Sequence, residues 1–341
     1  MRKLLCVLLC LLFAFPALGE ETCLTLTVGG DCVLATREEW QDDADTFLTA
    51  VEANGMGWPF QHLAPIFQAD DMTLLNLECV LQEGNKGHDY TRQHNFRGKP
   101  AYAQMLVDAG VEQVNVANNH FVDYRTSGKR STLAALDAAG VGYSGYGHLY
   151  IWEKDGVKIG FGGCRETVWK KSRTTIRKDI QALKKAGCDL IVYSCHWGRE
   201  YSPTHNRAQE RMADYAIKCG ANILIGSHPH VVQGVEVRSG ALVLWSLGNL
   251  VFGGTHDLTA FDGLLAQLEL HFEGKKYLGA QVTLLPVLTS GSAPENDFAP
   301  VLAEGADKER ILALIEADSP EAVQESMWIP APVKPAKQKK K

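Results

Sequence analysis

The chain has 341 residues, 45% hydrophobic and 22% charged. That is an ordinary globular composition, long enough for one large domain or two modest ones with a sizeable core, and it excludes a disordered low-complexity chain. A formal charge of −6 at pH 7 argues against nonspecific nucleic-acid binding across the whole surface.

Residues 1–19 read as a secretory signal peptide. Arg2 and Lys3 form a basic start, residues 4–18 are apolar, and Ala17-Leu18-Gly19 offers small residues for cleavage. An uncleaved N-terminal anchor is the alternative. Cleavage before Glu20 leaves 32 basic against 40 acidic side chains, a formal −8. The expected location is extracellular or on the cell envelope. Export permits disulfides. The cysteines at 32, 79, 164, 188, 195 and 219 nevertheless sit in or beside apolar segments, which favours buried thiols.

In chain order, residues 23–28 alternate as a strand and run into Gly29-Gly30-Asp31. That triplet suits a tight turn presenting a carboxylate. Thr36-Arg-Glu-Glu39 has capping-box spacing, predicting a helix whose apolar face is Trp40, Phe47, Leu48 and Val51. Residues 72–77 are a strand ending at Glu78, with Asn76 on the same face. Residues 83–100 are polar and Gly-rich. They read as a loop over the site, whose His88, Arg92, His94 and Arg97 could meet an anionic substrate or stay solvated. A helix at 101–109 stops at Gly110. A strand at 111–116 ends in Ala117-Asn118-Asn119-His120, and a helix follows at 131–139.

A hairpin turns at Asp155-Gly156, followed by a mixed-charge helix at 173–186. The strand at 190–194 ends in Cys195-His196-Trp197-Gly198, and the helix at 206–219 stops at Gly220. The strand at 223–225 ends in Gly226-Ser-His228-Pro-His230. Positions i and i+2 of an extended segment point the same way, so both imidazoles could face one site. Two polar residues in a turn is the other reading. Hairpins follow at 232–245 and 263–288, then a helix at 307–316. The domain is read as 20–318, and residues 319–341 as a disordered Lys/Pro-rich tail. Strand–helix alternation up to about residue 226, then antiparallel hairpins, predicts an α/β fold with a largely parallel sheet and either a second sheet or antiparallel additions.

Asp31, Glu78, Asn119, His120, His196, His228 and His230 each follow a predicted strand. In open α/β sheets ligands bind at that edge. Oxygen and imidazole donors suit Mn, Zn or Fe, and paired metals recur in phosphoryl chemistry.

Gly30-Asp31, Asn76-Leu-Glu78, Ala117-Asn-Asn-His120, His196-Trp-Gly198, Gly226-Ser-His-Pro-His230 and Ser246-Leu-Gly-Asn249 together resemble the successive motifs of the CapA family, associated with poly-γ-glutamate capsules. The resemblance implies a metallo-dependent phosphatase-like fold, a four-layer α/β/β/α sandwich of two mixed sheets. It also implies one or two divalent metal ions. Asp31 and His230 would serve the first ion, Asn119, His196 and His228 the second, and Glu78 both. His120 would be the general acid, and Asn76, Asn118, Arg97 and Asn249 would line the substrate side. The implied partners are an anionic polymer or a phosphorylated substrate, and a membrane-bound synthetase complex. One departure stands out: phosphoesterases of this fold carry Asp-x-His where this chain has Asp31-Cys-Val33. A general extracytoplasmic phosphoesterase and a non-catalytic polymer-binding module remain alternatives. A cysteine hydrolase using Cys195 is disfavoured, because neighbours on a strand face opposite ways.

Overall fold

The computed structural model describes residues 21–332 except His256. The signal-peptide reading and the end of the basic tail lie outside the described residues. Strand β1 (Glu21–Val33) does not end at Gly29-Gly30. It pairs antiparallel with a later strand as far as Gly29, shifts register, and from Asp31 pairs with another in parallel. The glycines serve close backbone approach, not a turn: a Cβ on Gly30 would lie 2.1 Å from the Gly248 carbonyl oxygen.

Residues Thr36–Arg37 form strand β2 and Glu38–Trp40 a 3-10 turn, where the capping-box spacing predicted a helix. Helix α1 (Phe47–Asn54) starts later, because Thr46 and Thr49 form the capping box instead. Next come α2 (Ala64–Phe67), β3 (Met72–Leu77), β4 (Val80–Leu81), β5 (Phe96–Gly98), α3 (Ala103–Ala109) and β6 (Gln113–Asn115). They are followed by α4 (Arg125–Ala139), β7 (Gly142–Ser144), β8 (Tyr150–Lys154), β9 (Val157–Arg165), α5 (Trp169–Lys185) and β10 (Leu190–His196). The chain continues through α6 (Arg207–Cys219), β11 (Ile223–Ser227), β12 (Val235–Arg238), β13 (Ala241–Leu244), β14 (Asn249–Phe252), β15 (Asp262–Glu273) and β16 (Lys276–Leu288). It closes with β17 (Val301–Leu302), α7 (Gly305–Ala317) and β18 (Ser326–Pro330).

Two mixed sheets result. One runs β17-β16-β15-β1-β3-β6-β7, with β14 also on β1 and β18 on β16; the other runs β12-β13-β11-β10-β9-β8. A small third sheet, β2-β5-β4, includes part of the predicted loop. Three separate cores identify the layers. Leu24, Leu26 and Leu74 of the first sheet pack on Phe161, Val192 and Ile225 of the second. The first sheet's other face, with Leu75 and Val114, takes Val51, Leu106 and Leu136 from α1, α3 and α4. The second sheet's other face, with Ile191 and Tyr193, takes Ile176, Ile180 and Met212 from α5 and α6. This is the expected four-layer α/β/β/α sandwich. Alternation along β10 sends Cys195 into the helix-side core while His196 faces the opposite way, as read from the sequence.

The C-terminal segment departs from its reading as a tail. β18 pairs antiparallel with β16 and buries Ile329 between the sheets. The five-residue strand adds an apolar contact that a Lys/Pro-rich composition conceals.

The Gly30–Gly248 approach has no side chain that could give way. Gly30→Ala is expected to lower stability by about 1–3 kcal/mol or more. Gly57→Ala, where a Cβ meets nothing within 4 Å, should change it by roughly 0.5 kcal/mol or less. Thermal denaturation of the two variants checks this; equal melting temperatures would refute it.

Candidate metal centre

The predicted residues converge. Asp31 lies on β1, Glu78 just past β3, Asn119 and His120 after β6, His196 at the end of β10, and His228 and His230 after β11. Within each sheet these strands run parallel. Their C-terminal edges meet where the sheets face each other, so the site belongs to neither sheet alone.

Asp31 is fully buried. Its Oδ1 accepts from Asn76 Nδ2 at 2.7 Å and its Oδ2 from the His228 backbone N–H at 3.0 Å. Its Oδ2 also lies 3.3 Å from His230 Nδ1. Glu78 is fully buried, and neither carboxylate oxygen takes a hydrogen bond. The His196 Nε2 atom lies 3.3 Å from Glu78 Oε1 and 2.5 Å from Asn119 Oδ1. His228 Nδ1 is buried and unpartnered as well. Two triads each have ligand atoms within 4.8 Å of one another: Asp31, Glu78 and His196, and Glu78, His228 and His230. Glu78 belongs to both. The triads cross the expected division of His196 and His230 between two ions.

These donors fit a divalent cation. A buried carboxylate with no hydrogen bond is costly unless something positive faces it. Imidazole nitrogens with carboxylate and amide oxygens suit Mn, Zn or Fe.

The His-Pro-His stretch brings its rings together by a route other than extended backbone. His228 has φ 98° and His230 φ 58°, left-handed values that cost on the order of 1–3 kcal/mol each. Their ring centroids are 6.0 Å apart, and the His196 and His228 centroids are 4.5 Å apart. The strain aims the His228 N–H at Asp31.

Three residues expected on the substrate side hold other groups in place instead. Asn76 donates to Asp31, accepts from Asn115 Nδ2 at 2.7 Å, and lies 3.3 Å from His196 Nδ1. Asn249 Oδ1 lies 2.9 Å from His230 Nδ1. An oxygen acceptor keeps the proton on Nδ1 and frees the Nε2 lone pair for a cation. Asn118 donates to the Leu77 carbonyl and accepts from the Phe121 N–H. Arg97 is drawn off by Glu38, 2.6 Å away. Short amides beside a ligand cluster satisfy buried groups before they meet a substrate.

The sequence reading missed the support of His120. His120 Nδ1 sits 2.7 Å from Asp123 Oδ2, and Arg92 Nε sits 2.8 Å from the other Asp123 oxygen. Phe96 stacks on the imidazole at 4.0 Å and donates its backbone N–H to Asp123. The signal was the i, i+3 spacing from His120 to Asp123. The segment at 83–100 thus closes over His120 and braces it. Val33 is buried among apolar side chains.

Burial, then the Asp31 carboxylate, pushes Glu78 well above the usual carboxylate range. Burial and the neighbouring His228 hold His196 well below the usual imidazole range. For His230 burial acts downward, but the Asp31 hydrogen bond and charge prevail and raise it.

A folded-state carboxyl raised above its unfolded value gives stability that is full at low pH and lost as pH rises through that window. A cation must displace the same proton. The rise in melting temperature on adding Mn is therefore expected to be larger at pH 8 than at pH 5.5. Glu78→Gln should abolish that rise and stabilise the metal-free protein at pH 8. Scanning calorimetry with and without metal tests both; a pH-independent rise would contradict the assignment.

A family model described as the bacterial capsule synthesis protein PGA_cap matches residues 25–254. The capsule biosynthesis protein CapA of Bacillus anthracis is 28% identical over 284 residues, covering 76% of this chain and 67% of the relative. The PGA biosynthesis protein CapA of Bacillus subtilis (strain 168) is 27% identical over 330 residues, covering 91% and 84%. Among solved structures, the sulfate thiohydrolase SoxB of Thermus thermophilus in complex with glycerol is 13% identical, with a TM-score of 0.42; the match covers 86% of this chain and 60% of that one. The family match takes in more than half of the chain and every ligand position described above, and the chain belongs to the PGA_cap family of bacterial capsule synthesis proteins.

Proposed function

We propose that this chain is an exported, metal-dependent hydrolase acting in the synthesis, release or anchoring of an anionic capsular polymer such as poly-γ-glutamate. One observation carries the reading: Glu78, buried and without a hydrogen bond, is shared by two triads that draw on both sheets. The relatives named for capsule and PGA biosynthesis support the polymer. The basic, apolar and small residues of 1–19 support export, and a membrane-bound synthetase complex is the partner that such a role implies.

Asp31, Glu78, Asn119, His196, His228 and His230 would hold the cation or cations, which supply Lewis-acid withdrawal of charge from a phosphoryl or acyl oxygen. His120 holds the proton destined for the leaving group. Asp123 keeps Nδ1 protonated, so Nε2 is the nitrogen that gives its proton up. Asp123 and Phe96 also fix the plane of the ring. Asn76 and Asn249 orient Asp31 and His230.

A second reading, a polymer-binding module without turnover, draws on Val33. That residue is buried in the apolar core and supplies no nitrogen where related phosphoesterases have one.

The test is elemental analysis and turnover of an aryl phosphate by the purified mature protein with Mn or Zn. Stoichiometric metal with turnover removes the binding-only reading. His120→Ala is expected to lower kcat by about 10²–10⁴-fold with metal content unchanged. Asp123→Asn should lower it by roughly 10–100-fold. No turnover with any divalent metal would end the hydrolase reading. Unchanged capsular polymer after deletion of the gene would end the capsular one.

A further inference from the structure

Helix α5 carries a run of basic side chains. Lys170, Lys171, Arg173, Arg177 and Lys178 are all exposed in a chain of formal charge −6. Among the described residues none of the five forms an ion pair. Some exposed cations elsewhere are matched, as Arg238 is with Asp214 and Glu236, Lys308 with Glu325, and Arg310 with Asp262 and Asp307. An unmatched basic stripe alone is a solvated helix face. This one borders a cavity.

A cavity of about 380 Å³ lies against the first half of α5, lined by Arg165, Lys171 and Lys178 together with the hydroxyls of Thr167, Ser172 and Thr175. Lys171, Thr175 and Lys178 stand at i, i+4 and i+7, one face of a helix, spanning roughly 10 Å. The cavity adjoins the metal centre. Arg165 is the register partner of His196 on the neighbouring strand. Tyr146, also in the wall, donates its hydroxyl to the Asn118 carbonyl at 2.9 Å. Asp179 is in the wall too, but it is buried and accepts the Tyr193 hydroxyl at 2.8 Å. Burial pushes its carboxyl up to about 6, and Lys178 is the cation beside it.

We propose that Arg165, Lys171 and Lys178 form an anion track that holds successive carboxylates of a polyanionic chain and leads it to the metal centre. This rests on the reading of that centre as one that works on an anionic polymer. The cations are spread along a line with hydroxyls between them. A single dianionic phosphate would call for cations converging on one point. A line of single charges matches a polymer bearing one carboxylate per residue.

The experiment measures binding of a fluorescent glutamate polymer to the full-length protein by anisotropy across a salt series. The double variant Lys171→Glu/Lys178→Glu is expected to weaken binding about tenfold or more and to flatten its salt dependence. Arg165→Gln should weaken it severalfold. Lys184→Glu/Lys185→Glu makes the same charge change at the other end of α5 and should stay within about twofold. Equal losses in the two double variants would mean general electrostatics and overturn the track. So would displacement by inorganic polyphosphate at the same charge concentration as glutamate polymer. Glu78→Gln separates this proposal from the hydrolase reading. It is expected to abolish metal binding, and the track predicts that polymer binding survives; binding lost in Glu78→Gln but kept in Lys171→Glu/Lys178→Glu would place the polymer on the centre alone.

Discussion

The structure turns on one buried carboxylate. Glu78 sits where water cannot reach it, with neither oxygen hydrogen-bonded. Desolvating a carboxylate without a partner costs several kcal/mol. A protein that merely needed to fold would place a Leu or Gln there. What surrounds Glu78 is instead Asp31, also buried, and imidazoles from the opposite sheet. Two neighbouring carboxylates in such a place are tolerable with a proton between them or a cation beside them. Burial and the Asp31 charge raise the Glu78 carboxyl well above the usual range, and the donor set is shaped for a cation.

The backbone is bent to serve this arrangement. Gly30 lets β1 pass against the Gly248 carbonyl and change partners just before Asp31. Two histidines accept left-handed backbone on either side of Pro229. Asn76 and Asn249 then satisfy outward-facing atoms of Asp31 and His230, and Asn115 in turn holds Asn76. The cost in strain and buried polarity is concentrated at one rim, as is usual where geometry must be held for chemistry. The three apolar cores around that rim supply the stability that offsets it.

Much of this was legible in the residues. Strand ends carrying Asp31, Glu78, His120, His196 and His228 are local signals, and parallel strands turn local order into spatial proximity. Alternation predicts parallel strands under helical cover, and the four-layer sandwich comes from the resemblance alone. What stayed hidden was set by distant neighbours. Gly29-Gly30 reads as a turn until Gly248 is seen against it. Thr36 reads as a cap until Thr46 is seen to start α1. Asn76 and Asn249 read as substrate contacts because a sequence cannot show whether an amide is already spoken for. The segment at 83–100 reads as a loop over the site, but its sequence does not show that Phe96 and Arg92 close on His120 and Asp123. The strand at 326–330 was hidden by its Lys/Pro-rich surroundings, although alternate residues Met327 and Ile329 face the core.

Val33 bears on how many ions such a rim can hold. With its side chain committed to the apolar core, β1 offers the centre Asp31 alone. The shared position of Glu78 in both triads then matters more than it would in a site with a full set of nitrogens. Removing Glu78 would strip each triad of a third of its charged or imidazole donors at once, whereas removing His196 or His230 affects one triad only. The centre is therefore asymmetric in its dependence on its ligands.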